Sequence, residues 1–432
     1  MDKVPGIVKL VLLFLAMSML VMFADGLFFN NLNSRPSMAM MHMEVKPILY
    51  PDPAPPSKSA YFSNWLERPT EESNPDIPLV PEIIEEHGKK IKKFHIIMNN
   101  VLHEIRPGVK APMFSFNNMI PGPTLRLNEG DHVRVIFFNN GTDPHTIHWH
   151  GMNDLESSSD GIPDVNQEWV LPGEMYTYEF TAGEGVTKMY HCHVDAPHHM
   201  MMGMFGALII DPKEAEKSPF GNLADQEKIY IFSEMESAHA HVPLPADMMP
   251  MGPDSNLPWL FPSPKFMMPF KPDVTEFLIN GKAFPAVPPL LVKEGEIVRL
   301  RLINLGQHTK SIHIHGHTFT VTHRDGYALP SSFKVDTLLI GSGERYDVWF
   351  KADNPGVWMI HDHEMNNMAN GYEPGGIMTA IVYEGADTTV LDEFIKRVEK
   401  YNELIEHQDE EHGMLTPSGK PMEATMLGMH GM

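Results

Sequence analysis

The chain has 432 residues, 42% of them hydrophobic and 21% charged, which allows two or three domains with sizeable cores. Its formal net charge of -23 excludes a nucleic-acid binder, which needs a basic face, and favours metal cations. One cysteine, Cys192, excludes an intrachain disulfide, while 24 His and 33 Met are an excess of side chains that suit copper: imidazole for Cu(II), thioether for Cu(I).

In chain order, residues 1–29 read as an export segment. Lys3 and Lys9 precede the apolar run Leu10–Ala24, which is shorter than a membrane span of about 20 residues and suits a signal-peptide core. The sequence Met22-Phe23-Ala24 is a poor cleavage signal, so an uncleaved anchor reaching through Leu27-Phe28-Phe29 is the second reading. Either places the body outside the cytoplasm, periplasmic or at the cell surface, secreted or tethered by its N-terminus. Residues 30–90 read as a linker, stiffened by Pro51-Asp52-Pro53-Ala54-Pro55-Pro56.

The body then repeats itself. Leu127–Gly151 aligns without a gap on Val292–Gly316, at a constant offset of 165, and Met189–Ile209 aligns on Met359–Thr379 at an offset of 170. Both halves read as β-rich. Val298, Leu300 and Leu302 alternate with Arg299 and Arg301, the pattern of a half-buried strand. The reading is all-β: two similar sandwiches in tandem, 91–212 and 226–385. Apolar positions Leu391, Phe394, Ile395, Val398 and Tyr401 then mark a helix over 388–407, within a C-terminal region 386–432 that ends in a Met/His tail.

Four His-x-His pairs stand in register across the repeat: His148/His150 with His313/His315, and His191/His193 with His361/His363. On a strand, residues i and i+2 point to one side, so each pair presents two imidazoles together. A single zinc takes four ligands, so eight histidines imply several ions, and three coppers is the natural count. Cys192 lies between His191 and His193. A blue-copper site takes two His, a Cys thiolate and a weak axial Met; His145, Cys192, His199 and Met204 supply that set, with His198 as the alternative second imidazole. At the aligned positions of the second half stand Lys310, Asp362, Ala369 and Pro374. The paired histidines therefore build one shared site, and the cysteine set builds an extra one in the first half only.

The segments HTIHWHG, YHCHVDAPHHMMMGM, SIHIHGHTF and HDHE, with NNMIPGPTLRLNEGD, SDGIPDVNQ and VLPGEMYTYEF, resemble the multicopper oxidase family over residues 95–385, specifically its two-domain, laccase-like branch with blue copper in domain 1. The resemblance implies two cupredoxin-like domains and about four coppers per subunit. His145, Cys192, His199 and Met204 would hold the type 1 copper. His148 and His313 would hold type 2. His150, His191, His193, His315, His361 and His363 would hold the type 3 pair. It implies one-electron oxidation of a reducing substrate, phenol-like or a metal ion such as Cu(I), coupled to reduction of O2 to water, in a homotrimer whose clusters lie at subunit interfaces. An acid must deliver protons there; Asp160 is the candidate catalytic residue and Asp362 a second. The Met-rich stretches at Met38–Met43, Ala246–Phe270 and Met414–Met432 read either as flexible loops or as Cu(I) capture segments. Two rival functions remain. A copper nitrite reductase has the same plan, but with an aspartate where His148 stands. An exported copper-storage protein would use the Met-rich segments.

Overall fold

The computed structural model describes residues 70–235, 276–370 and 373–412, all within one structural unit, Pro55–Met432. The N-terminal apolar run, the Pro-rich segment and the three Met-rich stretches lie outside the described residues.

Structure begins earlier than the sequence pattern indicates. β1 (Glu82–Glu86) pairs antiparallel with the start of β2 (Lys89–Arg106) inside the stretch read as linker. The reason is cross-strand charge: EIIEE lies opposite KKIKK, with Glu82 facing Lys93 and their side chains 2.9 Å apart. β2 also pairs with β3 (Val109–Phe116) and runs parallel to β5 (His132–Asn139), which pairs with β7 (Met175–Thr181). Against this sheet packs a second, in the order β4 (Gly122–Asn128), β9 (Phe205–Asp211), β8 (Thr187–His191), β6 (His148–His150). Phe94, Val135, Tyr178, Trp149, Tyr190 and Leu208 fill the core between them.

The second sandwich repeats the plan. One sheet runs β11 (Glu276–Ile279), β10 (Gln226–Met235), β13 (Ile297–Asn304), β18 (Arg345–Lys351), β15 (Phe319–Arg324), β16 (Tyr327–Val335). The other runs β12 (Leu290–Val292), β20 (Met378–Tyr383), β19 (Val357–Asp362), β14 (Lys310–Ile314), β17 (Thr337–Ile340). A third core, with Ile105, Met113, Phe205, Ile209, Ile231 and Ile303, joins the two sandwiches. The tandem all-β, cupredoxin-like architecture is thus present in both halves.

β13 departs from its half-buried pattern: all eight residues are buried. Arg299 and Arg301 are tolerated inside because the Asp347 carboxylate lies 2.5 and 3.1 Å from them, with Glu216 and Glu227 completing the set at 2.7 and 2.6 Å. Thr187, on the strand that ends in His191, also donates to Asp347, so this network ties the two sandwiches together. Burial alone would raise the Asp347 carboxyl, but Arg299 and Arg301 hold it at about 2. A depressed carboxylate contributes stability above its unfolded value near pH 4 and loses it as pH falls through about 2. Asp347→Ala is expected to cost about 3–5 kcal/mol, because two buried guanidiniums lose the buried carboxylate they share and keep only the partly exposed Glu216 and Glu227. Urea unfolding at pH 7 checks this; a loss under about 1 kcal/mol would contradict it.

α2 (Thr389–His412) follows the predicted periodicity and runs five residues further. Val398 is buried, and Phe394 stacks on Phe284 at 5.6 Å, so the helix docks on the second sandwich. Among the described residues no helix is long and apolar enough to cross a membrane.

Candidate metal centres

The loop between β8 and β9 folds back on itself. Cys192 N–H donates to the Met204 carbonyl at 3.1 Å, and Met204 N–H donates to the His199 carbonyl at 3.1 Å. The short helix α1 (Ala196–Met201), with Pro197 in its first turn, returns His199 to the cysteine. His145 comes from the loop before β6, held by reciprocal backbone bonds with Val170 at 3.0 and 3.1 Å. The result is a compact triad. Cys192 Sγ lies 3.5 Å from His145 Nδ1 and 3.4 Å from His199 Nδ1, and the two Nδ1 atoms are 3.1 Å apart. Phe114 meets both imidazoles edge-on at 5.2 Å. Cys192, His145, His199 and Met204 are all buried. His198 turns aside: its Nδ1 lies 3.6 Å from Asp195, and its side chain is partly exposed.

Burial sets the charge of this pocket. It pulls His145 down to about 3 and His199 well below the usual imidazole range, and pushes the Cys192 thiol up to about 12. Both imidazoles are neutral with lone pairs available, and a cation entering must displace the thiol proton. Two inward imidazoles, one thiol and an adjacent buried Met fit copper better than zinc, which takes four strong ligands.

The eight paired histidines form two further clusters of one design. His148 lies 5.6, 5.2 and 5.3 Å, ring to ring, from His150, His191 and His193. His313 lies 4.7, 5.6 and 5.6 Å from His315, His361 and His363. Backbone carbonyls orient the rings in matching fashion. His148 Nδ1–H donates to the Asp160 carbonyl and His313 Nδ1–H to the Asp336 carbonyl, each at 2.8 Å. His191 and His361 donate to the carbonyls of Cys192 and Asp362 at 2.9 and 2.8 Å. A ring whose Nδ1–H is engaged offers Nε2 to a metal. In each cluster three imidazoles are close enough to hold one ion: His148, His150 and His191, and His313, His315 and His361. The two sets remain separate groups within the chain.

Asp160 adjoins the first set, with Oδ1 3.3 Å from His148 Nδ1 and Oδ2 accepting from Asn166 at 3.1 Å. Asp362 is buried and structural in its bonding, accepting from Ser311 N, Glu364 N and Asn367 Nδ2 at 2.9, 3.1 and 2.7 Å. Where the first sandwich has His145, the second has fully buried Lys310, whose ammonium is bound by buried Glu234.

Two family profiles described as multicopper oxidase match residues 98–215 and 255–386, together more than half of the chain and covering all three clusters. The chain belongs to the multicopper oxidase family. This multicopper oxidase is 38% identical to the blue copper oxidase of Nitrosomonas europaea, with a TM-score of 0.60 over 68% of this chain and 86% of that one. It is 29% identical to Laccase-4 of Thanatephorus cucumeris over 72% of this chain and 58% of that protein. It is 31% identical to Multicopper oxidase MmcO of Mycobacterium tuberculosis over 55% of this chain and 47% of that protein. The chain thus spans less than two thirds of these curated relatives. A copper nitrite reductase of Nitrosomonas europaea, 24% identical with a TM-score of 0.53, shares the fold.

Some parts of the site were not foreseen. Phe114 is an ordinary strand residue in the sequence. The carbonyls that orient the histidines carry no side-chain signal at all. Buried Lys188 braces the loop after His150, and buried Arg345 the turn before β18 that faces it. Lys188 Nζ donates to the Gly151 carbonyl at 2.5 Å, and Arg345 donates to the Gly343 carbonyl at 2.7 Å. Only Lys188, one residue before the repeat segment Met189–Ile209, carried any hint in its position.

Proposed function

We propose that the chain couples four one-electron oxidations to reduction of O2 to two waters, with His145, Cys192, His199 and Met204 as the type 1 ligands. His148 and His313 are the type 2 ligands, and His150, His191, His193, His315, His361 and His363 the type 3 ligands. The observation that carries this reading is the pairing of one buried Cys-His-His centre with two matching four-histidine sets. When bound, copper supplies one-electron transfer at the cysteine centre and O2 reduction at the histidines. The chain supplies the rest. Cys192 is one peptide bond from His191 and from His193, a short covalent route between the two kinds of centre. The imidazoles offer nitrogen lone pairs to the ions, and the Cys192 thiol would give up its proton to the cation it binds. Asp160 Oδ1, 3.3 Å from His148 Nδ1, is placed to relay protons toward that centre.

The same reading places the full eight-histidine centre between chains, the first set of one subunit facing the second set of the next in a closed homotrimer. Within a chain the first set abuts the second sandwich at Gly343, where an added Cβ would come 3.3 Å from His150, and not at the second set. Exposed apolar residues flank both sets: Val165 (77%) in the loop that binds Asp160, and Leu339 (59%) and Met365 (61%) beside His313 and His363. A head-to-tail contact of two different patches closes into a three-membered ring when each contact turns the chain by a third of a revolution. The apolar N-terminal run supports a location outside the cytoplasm, as an exported or tethered protein.

The deciding experiment is copper stoichiometry, visible spectrum and O2 uptake on the copper-loaded protein. A blue band with O2 uptake coupled to a reductant supports the oxidase. A blue band with nitrite reduction and no O2 uptake would replace it with the nitrite-reductase reading. A further expected result concerns the acid. Asp160→Asn slows O2 uptake by about 10²-fold or more, the contribution typical of a proton donor, and leaves the blue band unchanged. An unaltered rate would remove Asp160 from that role.

A further inference from the structure

Gly151, the residue after His150, is clasped by two cations. Lys188, on β8, is 1% exposed, and its ammonium donates to the Gly151 carbonyl at 2.5 Å. Arg345, on β18 of the other sandwich, stands so close that a Cβ added at Gly151 would lie 2.6 Å from its Nη2. A buried ammonium needs compensation, and the second sandwich supplies part of it. The Tyr327 ring faces Lys188 Nζ at 5.0 Å, and Asp325 joins Asp154 and Glu184 in favouring its charge. Asp325 and Tyr327 lie at the tip of the β15–β16 hairpin. That tip grips the first sandwich directly: Val186 N–H donates to the Gly326 carbonyl at 2.9 Å, and Asn153 Nδ2 to the Tyr327 hydroxyl at 2.5 Å. Arg345 ties the tip to the turn that faces His150, donating to the carbonyls of Asp325 and Gly343 at 3.1 and 2.7 Å.

The second histidine set is held otherwise. The repeat carries Gly151 to Gly316 and Lys188 to Trp358, and there an added Cβ would meet the Trp358 ring at 2.5 Å. Trp358 thus covers its glycine from within its own sandwich. The first half replaces this internal solution with a charge that the other sandwich must stabilise. One peptide bond joins Gly151 to His150, so freedom of that carbonyl passes directly to the imidazole. We propose that Tyr327 is a positioning residue for the first histidine set: it holds Lys188 against the Gly151 carbonyl, fixes His150, and so makes metal binding there conditional on docking of the two sandwiches. This rests on the reading of His148, His150 and His191 as copper ligands.

The test compares wild type with Tyr327→Leu and Tyr327→Phe; Tyr327 is 36% exposed, so neither substitution opens the core. Hydrogen exchange is read on metal-free protein. Amides of residues 149–153 are expected to exchange about tenfold faster in Tyr327→Leu, with those of residues 313–317 unchanged. Tyr327→Phe, which keeps a ring against Lys188, is expected to stay near wild type. In the copper-loaded proteins, Tyr327→Leu is expected to give up copper at about tenfold lower chelator concentration while the blue absorption persists. Unaltered exchange at 149–153, equal acceleration at 313–317, unchanged copper release, or a Tyr327→Phe protein as loose as Tyr327→Leu would overturn the proposal. Wild-type protein that takes up no copper at the paired histidines would instead sink the ligand reading, and exchange on the metal-free proteins would still decide the role of Tyr327.

Discussion

Cys192→Ser is expected to abolish the blue absorption and to slow substrate-driven O2 uptake on the order of 10³-fold or more, beyond the 10–100-fold typical of residues that merely support a ligand. The substitution is nearly isosteric and the site is fully buried, so the fold should survive. What changes is chemistry. The thiol, held protonated to about 12 by burial, becomes a strong thiolate ligand once a cation displaces its proton. A serine hydroxyl does not. The two imidazoles at 3.1 Å from each other then lack the third strong donor. Copper content should fall by one ion per chain, with the eight paired histidines still loaded. Absorption, metal analysis and O2 uptake on one preparation check all three. A serine variant that stayed blue, or that turned over at a tenth of the wild-type rate, would detach Cys192 from electron entry.

The second large effect is complementation between dead chains. His148→Ala/His150→Ala removes half of the first set, and His313→Ala/His315→Ala half of the second. Each variant alone should be inactive, because neither can assemble a full eight-histidine centre. If centres form head-to-tail between subunits, random trimers from an equal mixture, unfolded and reassembled together, contain intact interfaces at about one quarter of positions. O2 uptake should therefore recover to about a quarter of wild type. Zero recovery, with trimers verified by light scattering, would mean that the two sets do not meet across subunits.

Much of this was legible because the chain says the same thing twice. The constant offset between Leu127–Gly151 and Val292–Gly316 carries a strand, a turn glycine and a His-x-His pair to matching places. The structure reproduces even the ring geometry of those pairs. The buried group of His145, Cys192 and His199 was legible by contrast, through the loss of its counterparts at Lys310, Asp362 and Ala369. The choice between His198 and His199 was not. Strand periodicity ends at Cys192, and the six-residue helix that follows rotates neighbouring histidines to different sides; only its docking shows which one turns inward. Charge misled most. Arg299 and Arg301 look like solvent-facing residues on an alternating strand, and Asp347, their partner, lies 46 to 48 positions away. Such pairings are long-range, and no local pattern announces them. The same holds for the early β1 hairpin, where acidic and basic runs that resemble a linker find one another across a turn.

The Lys310–Glu234 pair has a consequence for life under copper scarcity. In the first sandwich the corresponding pocket waits for a cation from outside. In the second the cation is built into the polypeptide, as an ammonium with its own counter-ion, so that pocket is complete as soon as the chain folds. Starvation for the metal should therefore soften the two halves unequally. Hydrogen exchange on metal-free protein would find the loop from Cys192 to Met204 opening readily, while Lys310 and its strand stay as protected as in the loaded enzyme. The chain is then folded before any metal arrives, with only one loop left to close around it.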